Sequence, residues 1–401
     1  MKIRGMAPQD LGAIRKIISV CFNQPLNETD EEARISIQND KSALGRNYYN
    51  RLVCESEDGV ITSTLRVVPY VASFDGGEVK IADIGAVASL PEYRNRGAIR
   101  ECFKVAYEKL YEKDYAFAYV QAFSTAYYKK FACTPAADLV VLQTKISKLP
   151  APEMKGSYEL VTNSTAGLCE VYGQMRKRYS FLGSRCELDW LPYVDSELRD
   201  ENKPTYLYRD ESGTPKSFFT FEKAEEGGEK LIDFKERVYF YDKEGFLAIL
   251  AFASTHAEKF SLLKMAFSAD ARVDSLISEH CRLATEKTYR SNGMARCIKL
   301  KSALEGAAFI GSGRAVFEID DEMIKENCGR FAVEFKNGRL TNFYKTSEAP
   351  MAKMSIEIFT ALIIGKYSAC DFEFINGLEI YANPSELEKI FYKKRLAAFH
   401  I

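Results

Sequence analysis

The sequence predicts an α/β chain of mixed sheets assembled from more than one domain. Three observations carry that prediction. The chain has 401 residues, more than one ordinary hydrophobic core serves. Apolar strands and helical stripes of 3.6-residue period follow one another through its first third. Finally, Lys148-Leu149-Pro150-Ala151-Pro152 places two prolines within three residues, which neither a helix nor a sheet continues, so it reads as a linker. The divisions expected are 1–150, 151–290 and 291–401.

Each element has its own signal. After Asp10, the residues Leu11, Ile14, Ile17, Ile18, Cys21 and Phe22 fall at helical spacing, a face suited to packing on a sheet. The run from Gly59 to Val68 reads as a strand, and Gly76-Gly77 turns it into a second one from about Val79 to Ser89. Ile99, Cys102, Phe103, Ala106, Tyr107, Leu110 and Tyr111 form one stripe of a helix after Gly97, and Tyr115 to Val120 reads as a buried strand. Beyond the linker, 217–221 and 237–241 are strand-like, while the apolar run from Phe246 to Ala253 suits a buried strand or a helix equally. Lys336-Asn337-Gly338 between two alternating segments predicts a hairpin. Ile356, Phe359, Leu362 and Ile363 mark a helical face, and a last helix is expected from Pro384-Ser385.

Composition narrows the function classes. Hydrophobic residues make up 46% and charged residues 28%, as in soluble globular proteins, and a net charge of −1 gives no nucleic-acid footprint. The N-terminus lacks a signal-peptide core, and the most apolar run, Gly245 to Ala253, is too short to span a bilayer. A cytoplasmic protein without membrane or nucleic-acid partners is expected. Ten cysteines without a Cys-x-x-Cys pair read as reduced packing residues, and three histidines give no basis for a metal site.

The chemistry concentrates in Val87-Ala88-Ser89-Leu90-Pro91-Glu92-Tyr93-Arg94-Asn95-Arg96-Gly97-Ala98-Ile99-Arg100. Here a strand turns into a helix, and such a junction presents unpaired N–H groups and the positive end of the helix dipole. A diphosphate can bind there, with Gly97 allowing close approach and arginines supplying charge, the alternative being a solvated arginine run at a helix start. Pro91 takes the strand out of regular pairing, which frees Val87 and Ser89 to hydrogen-bond an extended amide-bearing arm such as pantetheine.

This segment resembles the coenzyme A motif of the GNAT superfamily of N-acetyltransferases, Arg/Gln-x-x-Gly-x-Gly/Ala. Arg94 and Gly97 match, and Ile99 stands in the last, usually small, position. Ile99-Arg100 is similar to the Eis-type (enhanced intracellular survival) subgroup. The resemblance implies two acetyltransferase-like mixed-sheet domains, the second without the motif, followed by a sterol-carrier-like α+β domain. It implies acetyl-coenzyme A as co-substrate, no metal, and contacts from Val87, Ser89, Arg94, Asn95, Gly97, Ala98, Ile99 and Arg100.

Ala126-Tyr127-Tyr128-Lys129-Lys130-Phe131-Ala132 resembles the superfamily's Tyr-x-x-Phe-Gly segment, with Ala132 where glycine is usual. The catalytic tyrosine then falls on Tyr128, whose phenol protonates the departing thiolate or bonds the thioester. For the base, Asp83 and Glu92 read as structural or solvated. The resemblance implies instead the terminal carboxylate of Ile401. It also implies a hexamer, an acceptor pocket touching Phe22 and Gln24, and an amine acceptor: a polycation such as an aminoglycoside, or a protein lysine or N-terminus. The acidic stretch Glu28-Thr29-Asp30-Glu31-Glu32 would serve a polycation or simply start a helix. The competing functions are a lipid carrier using the C-terminal domain beside a vestigial acetyltransferase, and a coenzyme A sensor.

Overall fold

The two strands expected between residues 59 and 89 form a long antiparallel hairpin, closed by Asp75 and Gly76, both left-handed at φ 47° and 78°. The computed structural model describes residues 1–150, 152–195, 198–277 and 285–397. It divides into two units, one made of Met1–Ala136 with Gly293–Lys394, the other of Ala137–Asn292 with Arg395–Ile401. The mixed α/β character expected from sequence is what the structure has.

In the first unit the chain runs β1 (Lys2–Gly5), α1 (Leu11–Phe22), α2 (Asp30–Asn39), α3 (Ala43–Arg46), β2 (Arg51–Glu55), β3 (Ile61–Phe74) and β4 (Gly77–Ser89). It continues through α4 (Ala98–Glu112), β5 (Phe117–Val120) and α5 (Thr125–Lys129). The sheet order is β1-β2-β3-β4-β5, antiparallel except for the parallel β4–β5 pair. Residues Met294–Cys297 then pair antiparallel with β5. The α4 stripe buries Cys102, Phe103, Ala106 and Tyr107 against Leu65, Ala82 and Ile84 on one face of the sheet. On the other, Ile14 and Ile17 of α1 pack on Val53, Ile61, Ala88 and Leu90. The apolar face of α1 ends earlier than its spacing suggests, since Phe22 is 46% exposed.

The rest of this unit is a five-stranded sheet ordered Arg339–Lys345, Gly329–Lys336, Gly313–Asp320, Ala352–Ser355, Glu379–Ile380. Asn337 (φ 52°) and Gly338 (φ 76°) make the hairpin turn read from the sequence. The rings of Phe317, Phe359 and Phe391 contact one another and fill its core. A fully buried ion pair joins this sheet to the acetyltransferase helix. Arg296 Nη2 reaches both Asp321 carboxylate oxygens at 2.7 Å, and its guanidinium lies 4.6 Å over the Tyr107 ring. Breaking such a buried pair costs about 3–5 kcal/mol. A second pair, Asp75–Lys394 at 2.6 Å, ties the β3–β4 turn to the same region.

In the second unit, Thr134–Lys145, Leu262–Ser268, Glu229–Asp233 and Glu222–Glu226 are neighbouring strands in that order, and four strands between residues 157 and 240 form a further sheet. The ambiguous apolar run is a helix, Lys243–Ser254, because its length and the Asp242 cap favour one and both of its sides are covered by aromatic strands. Arg395–Ala397 are held in this unit: Ser180 N donates to Arg395 O at 2.8 Å, and Leu396 N to Asp270 Oδ2 at 2.9 Å. No described helix is long and apolar enough to cross a membrane.

Candidate active site

Strands β4 and β5 pair only at Ile81–Phe117, Ala82–Ala118 and Asp83–Tyr119. Beyond Asp83 they separate, while β4 keeps its pairing with β3 as far as Ser63–Ser89. Ala86, at φ 49°, lies within the irregularity of register opposite Thr64 and Arg66. One edge of β4 from Ile84 to Ser89 is therefore open, and Val87 and Ser89 lie on it, half-buried. The early end of β5 opens this edge; Pro91 only terminates β4.

After Leu90 a short 3-10 turn, Pro91–Tyr93, leads into Arg94, left-handed Asn95 (φ 61°) and left-handed Gly97 (φ 82°). Gly97 is the residue before the first turn of α4 and supplies no side-chain cap. The N–H groups from Asn95 to Arg100 find no acceptor among the described residues. A Cβ on Gly97 would meet nothing within 4 Å, so its glycine answers the positive φ and leaves room above the helix start. Ala98 and Ile99 are buried under α4, whereas Arg94, Asn95, Arg96 and Arg100 are exposed. Arg94 Nε donates to Ser89 O at 3.3 Å, Arg96 Nη2 to Glu92 O at 3.0 Å, and Arg100 Nη1 to Lys130 O at 3.0 Å.

Tyr128 lies in α5, and the Lys130 carbonyl just after this helix accepts from Arg100. Tyr128 is 3% exposed in a ring cluster with Phe103, Phe123, Tyr127 and Phe131, where Phe103 and Phe131 stack at 4.2 Å. Burial first, then the neighbouring Tyr127, raises its pKa well above the usual phenol value. Its hydroxyl makes no hydrogen bond to a described residue. A phenol in that state keeps its proton and offers it as a donor.

Cys21 Sγ donates to Ser89 O at 3.1 Å, which sets the end of α1 against the end of β4. Phe22 and Gln24 follow directly and are exposed there. The acidic stretch is spent on the start of α2: Glu32 Oε2 accepts from Thr29 N at 2.7 Å, Asp30 pairs with Arg15, and Glu31 with Arg34. Glu92 lies exposed in the turn. Asp83, by contrast, is 4% exposed and accepts no hydrogen bond from a described residue. Burial pushes its carboxyl up to about 7, against the lowering pull of Arg66. Single-sequence reading placed Asp83 on the strand but had no signal for its burial. Ile401 lies outside the described residues.

A cavity of about 720 Å³ lies wholly in the second unit, beside Glu153, Asp210, Asp242 and Lys243, and none of the site residues named above lines it. No group of metal-ligating side chains occurs among the described residues.

Residues 2–136 match the acetyltransferase (GNAT) domain family and residues 300–399 the sterol carrier protein domain family. No curated protein matches the sequence. Among solved structures, a probable N-acyltransferase of unknown function from Enterococcus faecalis is similar over 100% of this chain and 99% of its own, with TM-score 0.84 and 19% identity. A GCN5-related N-acetyltransferase from Anabaena variabilis aligns over 99% and 100%, with TM-score 0.83 and 16% identity. Eis1 from Mycobacterium abscessus aligns over 100% and 99%, with TM-score 0.80 and 13% identity. At these identities the likeness is one of fold, and it runs the length of each chain. GNAT enzymes use acyl-coenzyme A, and the open β4 edge followed by an uncapped helix start is the arrangement such a ligand needs. Residues 2–136 are thus a GNAT acetyltransferase domain and residues 300–399 a sterol carrier protein domain, and along its whole length the chain shares the fold of these solved structures.

Proposed function

We propose that this protein transfers an acetyl group from acetyl-coenzyme A directly to an amine. The observation that carries the reading is the uncapped start of α4 at Gly97 beside the open edge of β4. The diphosphate takes the N–H groups from Asn95 to Arg100, with Arg94 and Arg100 supplying charge. Pantetheine lies along Val87 and Ser89. The amine nitrogen attacks the thioester carbonyl, the carbon–sulfur bond breaks, and the amine proton passes to a base. Tyr128 donates a hydrogen bond to the departing sulfur. Its raised pKa suits that role better than full proton release, because a thiol, near about 8.5, is the stronger acid.

Two groups compete for the amine proton. Asp83, near neutrality, is matched to the task, and the Ile401 carboxylate is the one the Eis-type resemblance implies. Asp83→Asn and a one-residue extension after Ile401 separate them: the base is whichever change abolishes turnover while acetyl-coenzyme A affinity stays. Phe22 and Gln24 line the acceptor entrance, and the acceptors implied by resemblance are aminoglycosides and protein lysines. Thermal stabilisation by acetyl-coenzyme A, followed by release of free thiol with an amine panel, tests the proposal. Stabilisation by fatty acids alone would sink it. The implied hexamer is checked by light scattering on the full chain.

A further inference from the structure

Arg51 of β2 and Arg66 of β3 stand directly opposite each other in the sheet, so their side chains share a face. Arg66 is in turn opposite Gly85 of β4, two residues from Asp83 on that same face. A Cβ on Gly85 would lie 3.3 Å from Asp83 Oδ2 and 3.8 Å from Arg66 Nη2, so the glycine keeps this patch open between them. Arg51 is 5% exposed; its Nε donates to Tyr48 O at 2.9 Å and its guanidinium lies 4.7 Å over the Tyr48 ring. Its Nη1 is buried with no partner, and so is Arg66 Nε. Neither arginine forms an ion pair with a described residue.

That is anomalous within this unit. Arg4, Arg15 and Arg296, its other arginines withdrawn from solvent, each have a carboxylate: Asp10, Asp30 and Asp321. Like charges directly opposite across a sheet repel, and a buried guanidinium without a counterion is costly. Burial and the charge of Arg66 lower the Arg51 pKa to about 10, so it remains cationic at neutral pH. The missing partner is an anion with two oxygens, which a pair of guanidinium forks fits.

We infer that the acceptor amine carries an anionic oxygen group, a carboxylate or a phosphate, which docks on Arg51 and Arg66 beside Asp83. This rests on the proposed acetyl transfer and narrows its acceptor. A polycation would meet two unpaired guanidiniums instead of carboxylates.

The test measures free-thiol release by the full chain with acetyl-coenzyme A. The amines are ω-amino acids from β-alanine to 6-aminohexanoate and phosphoethanolamine, each beside its neutral counterpart (the ω-amino amide or ethanolamine), together with spermidine. At least one anionic amine should exceed its counterpart in kcat/KM by about tenfold or more. The carboxylate and phosphate arms identify the group. Arg66→Gln should erase that preference by raising KM for the anionic amine, Arg66→Lys should keep part of it, and the acetyl-coenzyme A dissociation constant should not move in either. Equal or better turnover of the neutral amines or spermidine overturns the inference, as does a preference that survives Arg66→Gln. Turnover confined to non-anionic amines also overturns it and leaves acetyl transfer standing. No thiol release with any amine removes the acetyl-transfer reading, and the inference with it.

Discussion

Two helices of this chain follow a strand through a short turn, and they begin in opposite ways. In the second unit, Lys243–Ser254 is capped by Asp242, whose Oδ1 accepts from Gly245 N at 2.9 Å and whose Oδ2 pairs with Lys216 at 3.1 Å. In the first unit, α4 begins at Gly97 with no side-chain cap and with arginines where the other helix has acids. The strands differ in the same sense. Thr134–Lys145 and Leu262–Ser268 share seven consecutive register pairs, whereas β4 and β5 share three and then separate. A capped helix and a closed ladder satisfy their own backbone, and an anion finds nothing there to bind. The proposed acetyl-coenzyme A site is made of what has been left unsatisfied.

The two aspartates sharpen that contrast. Asp242 supports its helix, whereas Asp83 is buried without a hydrogen bond to a described residue, and its folded pKa of about 7 stands above the ordinary value of 3.8. Between those two values the folded state binds more protons than the unfolded chain, so the stability Asp83 contributes below about pH 4 is lost as pH rises through about 7. The loss amounts to about 4 kcal/mol at most. Asp83→Asn should abolish it, giving a variant less sensitive to pH over this range in urea unfolding. Parallel pH profiles for the two proteins would remove the contrast.

Gly97→Asp copies the second unit's cap onto α4. It puts a carboxylate where the diphosphate belongs and strains a left-handed backbone. Acetyl-coenzyme A affinity by calorimetry should fall about 100-fold, a change of about 2.7 kcal/mol. Retained affinity would break the comparison. Tyr128→Phe should lower kcat about tenfold with acetyl-coenzyme A affinity unchanged. The melting temperature should hardly move, since the lost hydroxyl has no hydrogen-bond partner among the described residues. Smallest is Asp242→Ala, which should cost about 1 kcal/mol of stability through the lost cap. It should leave acetyl-coenzyme A binding untouched; weaker binding would show that the second unit's helix start also serves the ligand.

The sequence by itself determined the elements around the motif. Strand, proline, arginines, glycine and apolar stripe follow one another from Val87 to Leu110, and each speaks through local backbone preference or 3.6-residue periodicity, which needs no distant partner. The Asn337-Gly338 hairpin was legible for the same reason, and the acidic stretch at Glu28 to Glu32 offered its helix-start reading in advance. Tertiary structure alone decided the rest. The open edge of β4 depends on where β5 ends. The pairing of Met294–Cys297 with β5 joins residues 174 or more positions apart (294 minus 120). The placement of Arg51 and Arg66 depends on the register of three strands, and nothing in the local sequence of either arginine shows that it forms no ion pair with a described residue. Burial, register and the absence of a partner are properties of neighbours brought together by the fold. They set the charge of Asp83, the donor left on Tyr128 and the anion that the arginines await.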